Sequence, residues 1–246
     1  MRGHRVSLLP SSRVRNDLLY FANKVPVLPV HRRMALGSLV QARASCPHRP
    51  SWTVLFLKAF AILAQQVPEL RRVYVGFPSP HLYEYPSSVG MVAFERETGQ
   101  GVGVFGGRIK DPANRSLSEL VEIVRRYSEA PLSEIKDFRR ILVFGRLPGP
   151  LRRLLVWVGL NIGRQRANFF GTYALSVYSA LGAESLRPLG PCTVVLNYGV
   201  FAADGTVDVR FVYDHRVMDG AVVARALQSF EKILTKTMVD ELTAWR

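Results

Sequence analysis

The sequence predicts one α/β domain built on a mixed sheet, and three observations carry that prediction. Its 246 residues allow one large domain or two small ones, and no linker, repeat or low-complexity block divides them. Strand-like and helix-like stretches intermix without a strict βαβ rhythm. A β-rich run, VDVRFVYDH, ends in a polar turn and leads into a long amphipathic helix. With 48% hydrophobic and 21% charged residues, the composition is that of a soluble globular chain. A chain of this size buries roughly 70–75% of the surface that its unfolded form exposes, so it needs no covalent staples.

In order along the chain, residues 1–24 read as an irregular lead with a short helical piece near Asp17 to Ala22, and residues 25–246 as the single domain. Val30 to Met34 alternate apolar and polar side chains, as a half-buried strand does. PHRP (47–50) is a break, and Ser51 is placed to cap a helix whose apolar positions Trp52, Leu55, Phe56, Ala59, Phe60 and Leu63 lay one face on a core. Pro68 stops it. Val73 to Phe77 reads as a strand and PSPHLYEYP (78–86) as a loop. SVGMVAFERE and VGVFGGRIK flank the turn signal ETGQG and predict a hairpin. Ser116 and Glu119 form a capping box at the head of a helix running to about Ser128, and a second helical segment covers roughly Ser133 to Val143. After LPGP (147–150) and the stretch LRRLLVWVGLNIGRQR come three strands, TYALSV, PCTVVLNYGVF and TVDVRFVYDH. Asp204-Gly205 pairs the last two as an antiparallel hairpin. Beyond Gly220, the residues Val222, Val223, Ala226, Leu227, Phe230 and Ile233 make one helical stripe.

The formal charge of +14 points to anionic partners: a polyphosphate ligand, an anionic membrane surface or nucleic acid. No zinc-finger spacing and no aromatic ladder among basic residues accompanies it, so nucleic acid is the weakest of the three. Cys46 and Cys192 stand far apart and imply no disulfide framework; a reducing, cytoplasmic setting is the default expectation. The Arg- and Ser-rich start, MRGHRVSLLPSSRVR, reads either as a transit-type segment or, more simply, as a basic, loosely ordered terminus. No apolar run approaches the roughly 18–20 residues of a membrane span.

Gly101, Gly103 and Gly106 match the dinucleotide fingerprint G-x-G-x-x-G, but Val102, Val104 and Phe105 continue a strand pattern and Pro112 follows. With no helix opening there, the glycines read as sites of close backbone packing. There is no G-x-S-x-G elbow and no phosphate-binding loop. The histidines at 4, 31, 48, 81 and 215 show no metal-ligand spacing, so no metal is expected. His215 differs from the others in position. It falls where a strand ends and the chain turns, with Asp219 four residues on and Gly220 behind it. An imidazole there suits a general base, and a buried carboxylate at Asp219 would need a cationic partner.

The whole motif, DHRVMDGA followed by VVARALQSFEKIL, resembles the active-site signature of the dihydrolipoyl acyltransferases of 2-oxoacid dehydrogenase complexes. GTYALSVYSALG is similar to that family's strand beginning Gly-Thr-Phe with a serine four residues after the threonine. FLKAFAILAQQVPELR and SVGMVAFERETGQGVGVF resemble its Lys-Ala helix and its hairpin. The likeness covers about residues 25–240. It implies a chloramphenicol acetyltransferase-like two-layer sandwich with a mixed, largely antiparallel sheet and flanking helices. It implies acyl transfer from coenzyme A, with His215 as general base, Ser176 as oxyanion donor and Asp219 in support. Asp214, Arg216, Gly220 and Thr172 match structural positions of the site. It also implies a homotrimer with the site between subunits. Three departures stand out: Val177 where the family often has Asn, a short interval from Ser176 to His215, and no lipoyl domain or tether ahead of the core. They favour a free-standing enzyme, without an attached lipoyl group, that acts on another thiol, hydroxyl or amine. A catalytically silent scaffold or assembly protein is the alternative.

LRRLLVWVGLNIGRQR (151–166) is additional to the family pattern. Apolar Leu154 to Leu160 flanked by arginines resembles a basic helix lying on a membrane surface, while a core helix or a lid over the acyl channel fits the same residues.

Overall fold

The computed structural model describes residues 3–4 and 7–245, so the outermost residues of the expected lead lie outside the described residues. A six-stranded mixed sheet runs in the order β1-β8-β7-β6-β4-β5. The strands are β1 (Val27–Ala35), β4 (Val89–Thr98), β5 (Gly101–Lys110), β6 (Tyr173–Leu175), β7 (Val194–Tyr198) and β8 (Thr206–Asp214). Only the β4–β6 and β6–β7 pairs are parallel; β1–β8, β7–β8 and β4–β5 are antiparallel. The predicted hairpins β4–β5 and β7–β8 form as expected.

The side-chain period of two decides what each strand offers its two faces. On β8, Val207, Val209, Phe211 and Tyr213 join the main core, while Val212 packs with Val27 and Val195 on the opposite face. Helix α3 (Trp52–Gln66) lies at the centre of the core layer. Its Phe60 ring stacks on Tyr173 at 4.3 Å and meets Phe211 edge-on at 5.2 Å. From the far side comes Phe230 of α8 (Gly220–Lys232), 5.4 Å from Phe211. Ser51 caps α3 by accepting from Val54 N, and Ser116 with Glu119 forms the full capping box of α4 (Leu117–Glu129). Burial of α3 exceeds the expectation of one face: Val54 through Ala61, together with Leu63 and Ala64, are buried on all sides. Lys58 is among them, neutralised by Glu241 and donating to the Arg115 carbonyl at 2.6 Å.

Three expectations need correction, and one unassigned interval proves helical. The short helical piece expected near Asp17 to Ala22 begins earlier: α1 (Pro10–Ala22) is a helix held by Asp17, whose buried carboxylate accepts from Arg152 Nε at 2.6 Å and Arg153 Nε at 3.2 Å. Sequence spacing misses its first turns because its stabilising partners stand about 135 residues away. The loop 78–86 contains a strand, β3 (His81–Glu84), paired antiparallel with β2 (Arg72–Val75), and the Pro residues that hid it flank the pairing. A helix, α2 (Gly37–Ser45), fills the interval before the PHRP break. The second helical segment is shorter than its pattern, α5 (Lys136–Phe144). Beyond it, the stretch after LPGP folds as two helices, α6 (Gly149–Asn161) and α7 (Gly163–Phe170).

The decoy glycines lie in β5, as the strand pattern predicts. A Cβ on Gly103 would stand 2.6 Å from Ser11 Oγ, so the bare backbone lets α1 approach the sheet. The chain closes through α9 (Met238–Ala244), joined to α8 by a π-helical turn at Ile233–Thr237. Cys46 and Cys192 are buried and free; burial pushes the Cys192 thiol up to about 12, which removes it as a nucleophile.

Candidate active site

The DHR turn is tied down before any chemistry is asked of it. Asp214, the last residue of β8, is 2% exposed, and its main-chain N–H donates to the Thr193 carbonyl at 2.9 Å. Its carboxylate accepts from the Arg216 backbone N–H at 3.0 Å, Arg216 Nε at 2.9 Å and Arg216 Nη2 at 2.7 Å. The paired guanidinium lies 4.3 Å over the ring of Tyr74 from β2. His215 N–H donates to the Pro26 carbonyl at 3.1 Å, so the residue before β1 fixes the histidine backbone.

The imidazole is oriented by main chain. Its Nδ1 stands 3.1 Å from the Met218 carbonyl, which only accepts. Nδ1 therefore carries the proton, and Nε2 presents its lone pair on a side chain that is 43% exposed. Asp219, expected in support, lies 3.8 Å from Nδ1, beyond hydrogen-bond distance, with its own side chain 86% exposed. It has no buried charge to neutralise, contrary to the case in which a cationic partner was required. Gly220 opens α8 directly behind, where a Cβ would meet the Tyr213 hydroxyl at 3.3 Å.

Thr172 ties three strands together. Its Oγ1 accepts from Val89 N at 3.0 Å, its N–H donates to the Val89 carbonyl at 2.8 Å, and its carbonyl accepts from Thr193 N at 3.1 Å. The preceding Gly171 has φ of +77°, a region L side chains rarely adopt, and a Cβ there would face the Val89 carbonyl at 3.0 Å. Ser176 follows β6 at its far end. Its N–H donates to the Leu196 carbonyl at 3.2 Å, and its own carbonyl accepts from Asn197 Nδ2. Asn197 is fully buried, and its Oδ1 has no partner among the described residues.

One chain does not bring Ser176 and His215 together. In the sheet register Tyr173, Val194 and Tyr213 share one row. Ser176 lies three rows beyond it in one direction and His215 two rows beyond it in the other. With about 3.3 Å per residue along a strand and about 4.8 Å between strands, their Cα atoms stand roughly 19 Å apart. Beside the turn, a cleft of about 260 Å³ runs between α1, β2 and α6, lined by Lys24, Tyr74, Trp157, Asn161 and Arg216 among others.

No family model and no curated protein sequence matches the chain. Solved structures do. Dihydrolipoamide acetyltransferase of Azotobacter vinelandii superposes with a TM-score of 0.66 at 16% identity, over 96% of this chain and 93% of that one. The fold is that of the dihydrolipoamide acetyltransferase catalytic cores. A truncated catalytic core of the 2-oxoacid dehydrogenase multienzyme complex from Thermoplasma acidophilum agrees, with a TM-score of 0.66 at 18% identity over 95% and 99% of the two chains. Chloramphenicol acetyltransferase follows, with a TM-score of 0.53 at 14% identity over 93% and 96%. The expected chloramphenicol acetyltransferase-like architecture is thereby shown, and identities this low speak for the fold alone.

Sequence reasoning missed Tyr74, Asn197 and the carbonyls of Pro26 and Met218. The two carbonyls carry no side-chain signature at all. Asn197 stands alone among apolar residues in VVLNYGVF, and that was the only available signal.

Proposed function

We propose that the chain is an acyltransferase that takes an acyl group from coenzyme A, with each active site shared between two copies in a trimer. The observation that carries this reading is the orientation of His215: Nδ1 donates to the Met218 carbonyl, which in the neutral ring leaves the Nε2 lone pair available on a partly exposed side chain. In the reaction, Nε2 removes the proton of an acceptor thiol, hydroxyl or amine. The acceptor's lone pair forms a bond to the thioester carbonyl carbon, and the π electrons move onto oxygen. The Ser176 hydroxyl of a second copy donates to that oxyanion. Collapse breaks the carbon–sulfur bond, and the imidazolium returns its proton to the leaving coenzyme A thiolate. In the Azotobacter vinelandii enzyme, a serine, a histidine and an asparagine four residues after the histidine act in the catalytic mechanism, and the 215-to-219 spacing here is the same. The roughly 19 Å gap within one chain supports a second copy as the source of the serine. An acceptor other than a lipoyl group fits Val177 and the short interval from Ser176 to His215, and a cytoplasmic setting fits the free thiols.

Release of free thiol from a panel of acyl-coenzyme A esters with candidate acceptors tests this. The expected outcome is turnover that falls by about 10² or more in His215→Ala. Equal traces for both proteins across the panel would instead establish the second reading, a silent assembly module. That reading draws on one observation, the solvent-exposed Asp219 with no hydrogen bond to the imidazole.

A further inference from the structure

The face that α6 turns outward is apolar. Leu151, Leu154, Leu155, Val158 and Ile162 recur at helical spacing, and all are exposed. The opposite side of α6 is buried against the protein and includes a charged residue, Arg152, whose Nε donates to Asp17. The helix thus reverses the usual arrangement: an arginine turned inward and a row of leucines turned to solvent. Two aromatic side chains extend the row. Trp157 and Phe77, both exposed, pack with ring centroids 5.3 Å apart.

The charges on α6 and α7 have one sign. Between Asp137 and Glu184 the chain carries seven arginines and no acidic residue. Before Glu69 the only acid is Asp17, which is buried and already paired with Arg152 and Arg153. Arg153 lies 5.0 Å from the exposed Tyr20 ring, Lys24 lies 4.2 Å from the same ring, and Arg164 is exposed where α7 begins. An apolar row with a tryptophan and a tyrosine at its margin and exposed cations around it is the pattern of a helix that lies in a bilayer interface.

We infer that α6 docks the protein on an anionic lipid bilayer, its apolar row entering the acyl-chain boundary while Arg164 and Lys24 meet lipid phosphates. The contact lies flat: among the described residues no helix is long and apolar enough to cross a membrane. A second copy of this chain is a poorer occupant of the same face, because two such faces would bring their exposed Lys24, Arg153 and Arg164 side chains together. The cleft beside Arg216 opens between α1 and α6, so docking would set that cleft at the lipid surface.

Flotation with vesicles of phosphatidylcholine containing 30% phosphatidylglycerol, about 0.15 M salt, tests the inference independently of the acyl-transfer reading. The wild-type protein is expected to float with these vesicles, and far less with pure phosphatidylcholine. Leu154→Glu/Leu155→Glu is expected to cut the bound fraction about tenfold or more, with unchanged circular dichroism and unchanged mass by light scattering. Arg164→Glu, which leaves the apolar row intact, is expected to cut it about fivefold through the lost phosphate contact. Wild-type protein that stays at the bottom of the gradient overturns the inference. So does a Leu154→Glu/Leu155→Glu variant whose mass falls, since the row would then be a contact between copies.

Discussion

His215 is positioned by groups that have no side chain to announce them. The Met218 carbonyl sets the tautomer, and the Pro26 carbonyl sets the backbone from which the ring projects. Asp214 and Arg216, which flank the histidine in sequence, neutralise each other and keep their charges off the imidazole. The pair is buried on one side only, since Arg216 stays partly exposed over Tyr74. Asp214→Asn leaves that guanidinium without its bidentate acceptor, and an expected loss of about 2–3 kcal/mol in unfolding free energy follows. Urea denaturation checks it, with Tyr74→Phe as a comparison that keeps both the ion pair and the ring face. At this scale the sequence was legible for charged and catalytic residue types and silent on carbonyls, because a main-chain acceptor is present at every position.

Among the elements, α5 depends on one carboxylate. Asp137 accepts from the Tyr127 hydroxyl at 2.8 Å, from the Arg108 backbone N–H at 3.3 Å and from the Arg108 guanidinium. Burial raises its pKa, but the hydrogen bonds from Arg108 and Tyr127 together outweigh burial and hold it below the ordinary 3.8. A carboxyl depressed in the folded state adds stability above its unfolded pKa and loses it as pH falls through the folded one. Asp137→Asn is therefore expected to destabilise the protein at pH 7, and the difference from wild type is expected to shrink steadily below pH 3.8. Denaturation midpoints at pH 7 and in acid measure this; a difference that stays constant would assign the effect to packing. Elements with local signatures, such as the capped helices α3 and α4 and the hairpin β4–β5, were legible in the sequence. The full length of α1 and the strand β3 were not, since α1 is held by Arg152 and Arg153 and β3 by its pairing to β2.

For the whole molecule, the separation of Ser176 from His215 makes a prediction about mixtures. If each site takes its histidine from one copy and its serine from the next, His215→Ala and Ser176→Ala proteins complement each other once subunits exchange. Random assembly of equal amounts into a closed ring leaves about a quarter of the sites with both groups. Refolding the two variants together and measuring thiol release is expected to recover about that fraction of wild-type activity, against a loss of roughly 10²–10³ for Ser176→Ala alone. Recovery of none would overturn the shared site. The sequence by itself determined the mixed sheet, the helix caps, the strand that delivers His215 and the character of the β5 glycines. Each of these is written in periods of two and 3.6 or in a cap within four residues. Only the tertiary structure decided that α1 starts as early as Pro10 and that α6 turns its leucines outward. It alone showed that Asp219 reaches solvent and that Ser176 stands at the other end of the sheet from His215. Those facts rest on ion pairs, strand register and burial between residues distant in sequence, where local spacing carries no information.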